Sequence, residues 1–317
     1  MLEARKLSPN ETVPIRTITE YIALRVRENP DRTWLRERQS GTIVEWSWKQ
    51  ADEELQAVAA WIESEYGNPG TRIALLSRNR AHWMLADTAI TTSGNVSVPI
   101  FTTQSIDSAK YILEFSGVRI IFVGESENWE DVSKNIPDGV RLVALPGVEI
   151  AGPHTRWTDI VQESAGQRAS HVCQPDDLMS LVYTSGTTGA PKGVMQTHAS
   201  MLIPMERGKR VFNMRSNPRF LSYLPLAHIA ERQLVWIQSL IHCGTVTLNE
   251  SLPDLVRDMG EASPTYYCGA PRVWEQLPQR LLAQYGSQAA LDAALSADNT
   301  GVGTKIRTLL GLTDTDY

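Results

Sequence analysis

The chain has 317 residues, of which 42% are hydrophobic and 21% are charged, so it has enough apolar material for a folded core. Disordered and fibrous proteins are therefore excluded. The 36 acidic residues outnumber the 30 basic ones, and the formal net charge of -6 argues against nucleic acid as a partner.

The cysteines and the N-terminal residues predict a cytoplasmic protein. The chain has only Cys173, Cys243 and Cys268, which are too far apart for a CxxC pair or a zinc finger. Residues 1–21 lack the apolar core of a secretory signal, and no stretch is apolar enough to predict a transmembrane segment. Peripheral association with a membrane is an alternative to a purely cytoplasmic location.

The first half of the sequence predicts alternating helices and strands. A helix over Ile18–Glu28 precedes a hairpin of strands 33–37 and 42–46, and a long helix begins at Trp48 and ends at Gly67. Strands then follow at 72–76, 96–100, 119–123 and 141–145, alternating with helices at 81–92, 105–115 and 128–135. This alternation is typical of an α/β fold with parallel strands and helices packed on both faces.

The second half continues the α/β pattern. Strands are predicted at 178–183, 220–223, 245–249 and 265–268, and helices at 199–211, 229–242, 252–262, 272–285 and from 291 to about 310. Loops at 147–153 and 166–175 predict an internal boundary. We therefore expect one α/β subdomain over residues 1–175 and a second over residues 176–317.

The strongest chemical signal is the stretch LVYTSGTTGAPKGV at residues 181–194. A buried strand runs into a loop of glycines and hydroxyl residues with one lysine, Lys192. Such a loop suits phosphate, because glycines let backbone N–H groups approach an anion and the lysine adds a positive charge. It is not the P-loop of nucleoside triphosphatases, since Gly193 follows the lysine where that motif has Ser or Thr. Gly301 and Gly303 lack the third glycine of the dinucleotide-binding fingerprint.

This loop resembles the phosphate-binding motif of the adenylate-forming, or AMP-binding, superfamily, which includes the acyl-CoA synthetases. Two further stretches, YLPLAHIAER at 223–232 and GAPRVWE at 269–275, are similar to segments of long-chain acyl-CoA synthetases. The three motifs occur in that family's order and spacing. The resemblance therefore extends over essentially the whole chain.

The resemblance implies a fold and an activity. The fold is that of the N-terminal domain of acyl-CoA synthetases, with layered, mostly parallel sheets and helices on both faces, here truncated. The activity is ATP-dependent conversion of a fatty acid, of long chain length, to acyl-AMP and then to acyl-CoA. The implied small molecules are ATP, Mg²⁺, coenzyme A and the fatty acid.

The resemblance also implies roles for individual residues. The hydroxyl of Thr184 would contact Mg²⁺, and His228 would lie near the acyl and phosphate groups as the candidate catalytic residue. The residues that would hold the β and γ phosphates are Ser185, Gly186, Thr187, Thr188, Gly189 and Lys192. A packed, structural histidine remains the alternative for His228.

The chain also departs from the family. It lacks the later Y-G-x-T-E segment, the ribose-binding aspartate and the C-terminal domain with its adenylation lysine, so it resembles an N-terminal portion that is inactive alone. Unpaired strand edges would then favour self-association. Two alternatives remain open: transfer of the acyl group to a carrier protein or a reductase, and a non-catalytic nucleotide-binding fragment.

Three residues near the motifs have structural interpretations. Trp236 is expected in the core, with the lining of an acyl tunnel as the alternative. Arg272 and Glu275 are expected to pair on a helix surface.

Overall fold

The computed structural model describes residues 16–67, 69–184, 190–212 and 214–271. Beyond these, it describes residues 273, 275, 286–287, 289–290, 292–293, 307–308 and 310–315.

The N-terminal elements confirm the predicted helix, hairpin and helix. They are α1 (Ile18–Glu28), β1 (Thr33–Gln39), β2 (Thr42–Ser47) and α2 (Trp48–Tyr66). The hairpin turns at Ser40 and Gly41, whose φ angles of 47° and 83° suit a tight antiparallel turn. Both helices begin with a capping box, which satisfies backbone N–H groups that have no partner within the helix.

A seven-stranded sheet forms the centre of the molecule, in the order β7-β6-β5-β3-β4-β8-β9. Its strands are β3 (Arg72–Leu76), β4 (Val96–Ile100), β5 (Ile120–Val123), β6 (Arg141–Ala144), β7 (Thr155–Arg156), β8 (Leu178–Thr184) and β9 (Lys192–Thr197). All neighbouring strands are parallel except β8 and β9. The helices between them are α3 (Ala81–Thr92), α4 (Ile106–Ser116), α5 (Trp129–Ser133) and α6 (Trp157–Glu163).

Helices cover both faces of this sheet, as the α/β pattern predicts. Along β3, Ile73 and Leu75 join the large core that includes α2 and α3, whereas Ala74 and Leu76 join a second core with α4 and α5. The alternation follows from the two-residue period of a strand, which points successive side chains to opposite faces.

A four-stranded sheet packs beside the first, in the order β10-β11-β1-β2. Its later strands are β10 (Arg219–Ser222) and β11 (Thr245–Leu248), which run parallel to each other and to β1. The predicted division at residue 175 stays a prediction. Strands from both sides of that position pair in each sheet, because β1 pairs with β11 and β4 pairs with β8.

The remaining helices precede, separate and follow the strands β10 and β11. They are α7 (His198–Phe212), α8 (Ile229–Glu231), a π-helical segment (Arg232–Ile237), α9 (Gln238–His242), a 3₁₀ turn (Leu252–Asp254) and α10 (Leu255–Ala262). The predicted helix at 229–242 is thus confirmed, with a π segment in its middle. The helices predicted at 272–285 and from 291 to about 310 lie largely outside the described residues.

Three features differ from the sequence-based expectation. The strand predicted at 265–268 is wrong: the backbone N–H groups of Thr265 and Tyr266 both donate to the same carbonyl, that of Arg219, so no ladder forms. Strand β9 and the β7–α6 unit were not predicted. The residues around Lys192 include glycine and polar side chains, which are uncommon in strands, so the sequence does not predict β9. The strand lies exposed at the edge of the sheet.

Two phenylalanine substitutions test the packing of the sheet against its core. Phe122 on β5 is fully buried against Trp157, whereas Phe115 on α4 is 69% exposed. We expect Phe122→Ala to lower the free energy of unfolding by about 3–5 kcal/mol, because it leaves a cavity, and Phe115→Ala to lower it by less than about 1 kcal/mol. Urea unfolding measures both free energies, and equal losses of stability would contradict the burial of Phe122.

Candidate functional site

A cleft of about 300 Å³ opens at the carboxyl ends of β4 and β8, where α8 begins. The residues that line it are Phe101, Gln104, Val182, Tyr183, Thr184, Pro191, Ala227, His228 and Ile229. Two predicted site residues, Thr184 and His228, therefore lie in one cleft although they are far apart in sequence. Carboxyl ends of parallel strands are the usual place for ligand sites in α/β sheets.

The antiparallel pairing of β8 with β9 places Lys192 directly opposite Thr184. Opposite residues in such a pair share one face, with their Cβ atoms about 5 Å apart. Between them lie Ser185, Gly186, Thr187, Thr188 and Gly189, which are outside the described residues. The phosphate-binding role predicted for these five stays a prediction, and Thr184 and Lys192 mark the two ends of their loop.

Lys192 is a candidate charge for an anion. Its side chain is exposed, and none of the ion pairs between described residues includes it. Its ammonium group is therefore not neutralised by a described carboxylate. A lysine in this position can attract phosphate oxygens as a point charge.

The glycine after this lysine has a steric cause. A Cβ atom on Gly193 would lie 3.0 Å from the ring of Tyr183, the buried residue opposite it on β8. The hydroxyl of Tyr183 is in turn 2.7 Å from Oγ of Ser116 on α4. Tyr183 thus connects the hairpin to α4 by a hydrogen bond, and the absence of a side chain at Gly193 leaves space for the Tyr183 ring.

His228 is held by the first turn of its own helix. Its Nδ1 accepts the backbone N–H of Ala230 at 3.1 Å, so the side chain caps α8. A ring nitrogen that accepts a hydrogen bond carries no proton, so in the neutral ring the proton sits on Nε2. The exposed imidazole can therefore present an N–H donor to a ligand in the cleft.

Phe101 and Gln104 form a wall of the cleft that the sequence analysis missed. They belong to the turn after β4, in which Gln104 N–H donates to the Phe101 carbonyl at 3.0 Å. The Phe101 ring meets the His228 ring edge to face, with centroids 6.5 Å apart. The sequence places Phe101 and Gln104 directly after a predicted strand, so they would border the site if that strand lay beside β8. Only the strand order β3-β4-β8 identifies β4 as this neighbour.

The loop before His228 is held on both sides by polar groups, of which Glu231 is buried and Asn79 is partly buried. The Glu231 carboxylate accepts the Tyr223 N–H at 3.0 Å. From the other side, the Asn79 amide donates to the Leu224 carbonyl at 2.7 Å and accepts the Leu226 N–H at 2.9 Å. These bonds fix the backbone that delivers His228 to the cleft.

Burial raises the pKa of the Glu231 carboxyl to about 8, although hydrogen bonds from Ser222, Tyr223 and Leu224 act in the opposite direction. The residue is only 2% exposed.

The third motif contacts the second through Tyr223. Its hydroxyl donates to the Cys268 carbonyl at 3.1 Å and accepts the Ala270 N–H at 2.7 Å. Arg272 lies outside the described residues, so its predicted pairing with Glu275 stays a prediction. Trp236 is fully buried in the core, which confirms the first interpretation, and it does not line the cleft.

The described residues offer few metal ligands in the cleft. No group of three or more His, Cys, Asp or Glu side chains among them is arranged to hold a metal ion. The hydroxyl of Thr184 is one oxygen donor at this site. Mg²⁺ commonly binds through one or two protein oxygens together with substrate phosphates and water. Thr184 therefore suits a single ligand position and not a complete metal site.

Comparison with known sequences gives a family match. The family model for "AMP-binding enzyme" matches residues 22–310. Fatty acyl-CoA synthetase A from Dictyostelium discoideum is 28% identical over 296 residues, which are 84% of this chain and 43% of that protein. The peroxisomal long chain acyl-CoA synthetase 7 from Arabidopsis thaliana is 29% identical over 259 residues, covering 76% of this chain and 37% of that protein. The chain thus spans less than half the length of these relatives.

Solved structures with the same fold support this match. The adenylation domain of a carboxylate reductase from Mycobacterium chelonae superposes with a TM-score of 0.78 at 22% identity, covering 96% of this chain and 53% of that chain. O-succinylbenzoate coenzyme A synthetase from Bacillus subtilis, in complex with AMP, gives a TM-score of 0.67 at 21% identity, covering 82% and 64%. Among helices with described residues, none combines the length and hydropathy that a bilayer-spanning segment needs.

The tautomer of His228 is testable by NMR of the ring nitrogens. We expect the neutral His228 ring to carry its proton on Nε2, because Nδ1 accepts a backbone N–H. His154 is the matched control, since its Nδ1 lies 2.9 Å from the Gly152 carbonyl and must donate to it. Long-range ¹H–¹⁵N correlation above pH 8 distinguishes the two forms. A proton on Nδ1 of the neutral His228 ring would contradict the cap.

The buried carboxyl predicts a pH dependence of stability. The folded pKa of Glu231 is about 8 and the ordinary value is 4.5, so the folded state binds the extra proton between these values. Its stabilising contribution is present below pH 4.5 and is lost as the pH rises towards 8, at a slope of up to about 1.4 kcal/mol per pH unit. We expect Glu231→Gln, which stays neutral, to lose this slope. Urea unfolding between pH 5 and 8 compares the two, and parallel curves would show that Glu231 does not titrate in this range.

Proposed function

Because this chain belongs to the AMP-binding enzyme family, we propose that it supplies the triphosphate-holding part of an enzyme that activates a fatty acid with ATP. The observation that carries the proposal is the pairing of Thr184, which lines the cleft together with His228, with Lys192 on the opposite strand of the hairpin. A lysine that no described carboxylate neutralises and a ring N–H donor beside the cleft suit a polyphosphate.

The chemistry explains why these groups are needed. A carboxylate and a triphosphate repel each other, so the site must neutralise the phosphates while it holds the attacking oxygen in line. In our proposal Lys192, with Ser185, Gly186, Thr187, Thr188 and Gly189, holds the β and γ phosphates. The Nε2–H of His228 donates to the oxygen that gains charge near the α phosphate.

The proposed reaction has two steps. First, a carboxylate oxygen bonds to the α-phosphorus of ATP, and the bond from that phosphorus to the pyrophosphate oxygen breaks, which gives acyl-AMP. Second, a thiolate sulfur bonds to the acyl carbon and AMP leaves with its phosphate oxygen. Mg²⁺ would offset phosphate charge when bound. Thr184 would give it one oxygen.

We propose a long-chain fatty acid as substrate and coenzyme A as acceptor. The support is twofold. The relatives at 28% and 29% identity are named as fatty acyl-CoA and long chain acyl-CoA synthetases. The lining of the cleft also includes four apolar residues, Phe101, Val182, Ala227 and Ile229. Transfer of the acyl group to a carrier protein or a reductase is the alternative. The two are distinguished by identifying the thiol to which acyl-AMP gives up its acyl group.

The chain by itself is proposed to hold nucleotide without turning it over, as a cytoplasmic protein with peripheral membrane association as the alternative. Self-association is also proposed. Within the described part of the sheet, β9 is an edge strand, and its Val194 and Met195 are 44% and 68% exposed. Edges of this kind favour pairing with another strand.

Lysine substitutions test the proposed site. We expect Lys192→Ala to weaken pyrophosphate binding to this chain by about tenfold, because one charge-assisted contact is lost, and Lys192→Arg to keep part of the affinity. Lys134→Ala removes an exposed lysine directly after α5 and serves as the control. Isothermal titration measures the affinities, and radiolabelled ATP–pyrophosphate exchange with palmitate should stay at background. Equal affinities for the two alanine variants would remove Lys192 from the site, and exchange above background would show that the chain is active alone.

A further inference from the structure

An ion pair lies entirely inside the protein behind the cleft. Nη2 of Arg232 is 2.7 Å from Oδ2 of Asp87 on α3, and both side chains are fully buried. The guanidinium also lies over the rings of Trp83 and Trp236, at 5.9 and 5.2 Å from their centroids. A charge in such surroundings is retained only where its partners are well placed, since removal of one partner leaves the other uncompensated.

The second arm of the guanidinium reaches the strand that carries the phosphate loop. Nη1 of Arg232 donates to Oγ of Ser180 on β8 at 2.7 Å. Ser180 Oγ in turn donates to the Ser97 carbonyl on the neighbouring strand β4 at 3.0 Å. Arg232 is therefore joined to the two strands whose carboxyl ends border the cleft.

The spacing along each element relates this contact to the cleft. Ser180 and Thr184 are four residues apart on β8, so their side chains point to the same face, about 13 Å apart. Arg232 follows His228 by one helical turn, and its backbone N–H donates to the His228 carbonyl at 3.3 Å. One side chain thus connects the element that ends at Thr184 with the element that begins at His228.

We propose that Arg232 is a positioning residue that sets β8 against the helix bearing His228, and so fixes the distance across the cleft. This inference rests on the proposed function only in naming a polyphosphate as the ligand of the cleft. The π-helical segment begins at Arg232, and π segments often occur where a helix must place a functional side chain. Arginine suits the task because its planar fork can bond a carboxylate and a hydroxyl at once, which lysine cannot reproduce.

A pair of serine substitutions tests the contact between Arg232 and β8. Ser180→Ala removes the acceptor of Arg232 and leaves the ion pair with Asp87. Ser97→Ala is the matched control, because Oγ of Ser97 is buried and has no hydrogen-bond partner among the described residues. We expect Ser180→Ala to weaken pyrophosphate binding about tenfold and to lower Tm by a few degrees, because the buried Nη1 of Arg232 loses its acceptor, and Ser97→Ala to leave the affinity unchanged.

Replacement of the ion pair separates positioning from stability. Asp87→Leu combined with Arg232→Met removes both charges, and apolar replacements of this kind can retain stability. We expect this double variant to melt within a few degrees of the original chain and still bind pyrophosphate weakly. A double variant with the same Tm and the same pyrophosphate affinity as the original chain would overturn the proposal. If the double variant does not fold, the serine pair decides the question.

Hydrogen exchange of residues 178–184 and 192–197 gives a readout that needs no ligand. We expect faster exchange there in Ser180→Ala than in Ser97→Ala, while exchange in β5 stays the same. Identical exchange in the two variants would overturn the positioning role. Absence of pyrophosphate binding by the unsubstituted chain would count against the proposed function alone, because the exchange comparison would still decide the role of Arg232.

Discussion

The pairing of Thr184 with Lys192 across the β8–β9 hairpin is the constraint on which the cleft depends. The ladder holds both ends of the loop between them, and it places the lysine on the same face as the threonine. The ring of Tyr183 packs over Gly193 and bonds to Ser116, so the hairpin is fastened to α4 as well as to its own sheet. The loop therefore starts and ends on rigid strands.

The electrostatics of the site divide into a front and a back. At the front, Lys192 is exposed and the His228 ring presents a donor, which leaves favourable groups for an anion. At the back, the polar groups are paired with protein atoms: Glu231 with backbone N–H groups, and Arg232 with Asp87 and Ser180. These bonds hold the strands and helices behind the cleft in place.

Membership in the AMP-binding family and this geometry support each other. The three sequence motifs that carry the resemblance meet in space, because the cleft joins the first to the second and Tyr223 joins the second to the third. The chain nevertheless spans only 43% and 37% of the two relatives compared here. Binding of the triphosphate and completion of the reaction are therefore separate questions for this chain.

Sequence patterns determined most of the secondary structure and the α/β class, since helical and strand periods are local properties. The family resemblance supplied Thr184, Lys192 and His228 as candidate site residues, and their roles stay predictions. The sequence patterns failed at β9 and at residues 265–268, where exposure or a missing partner strand overrides the local preference. Only the tertiary structure revealed the wall at Phe101 and the contact of Arg232 with Asp87, which is 145 residues away. Local periodicity decides which face of an element is apolar, but which elements meet is decided by how the two sheets and their helices pack against one another.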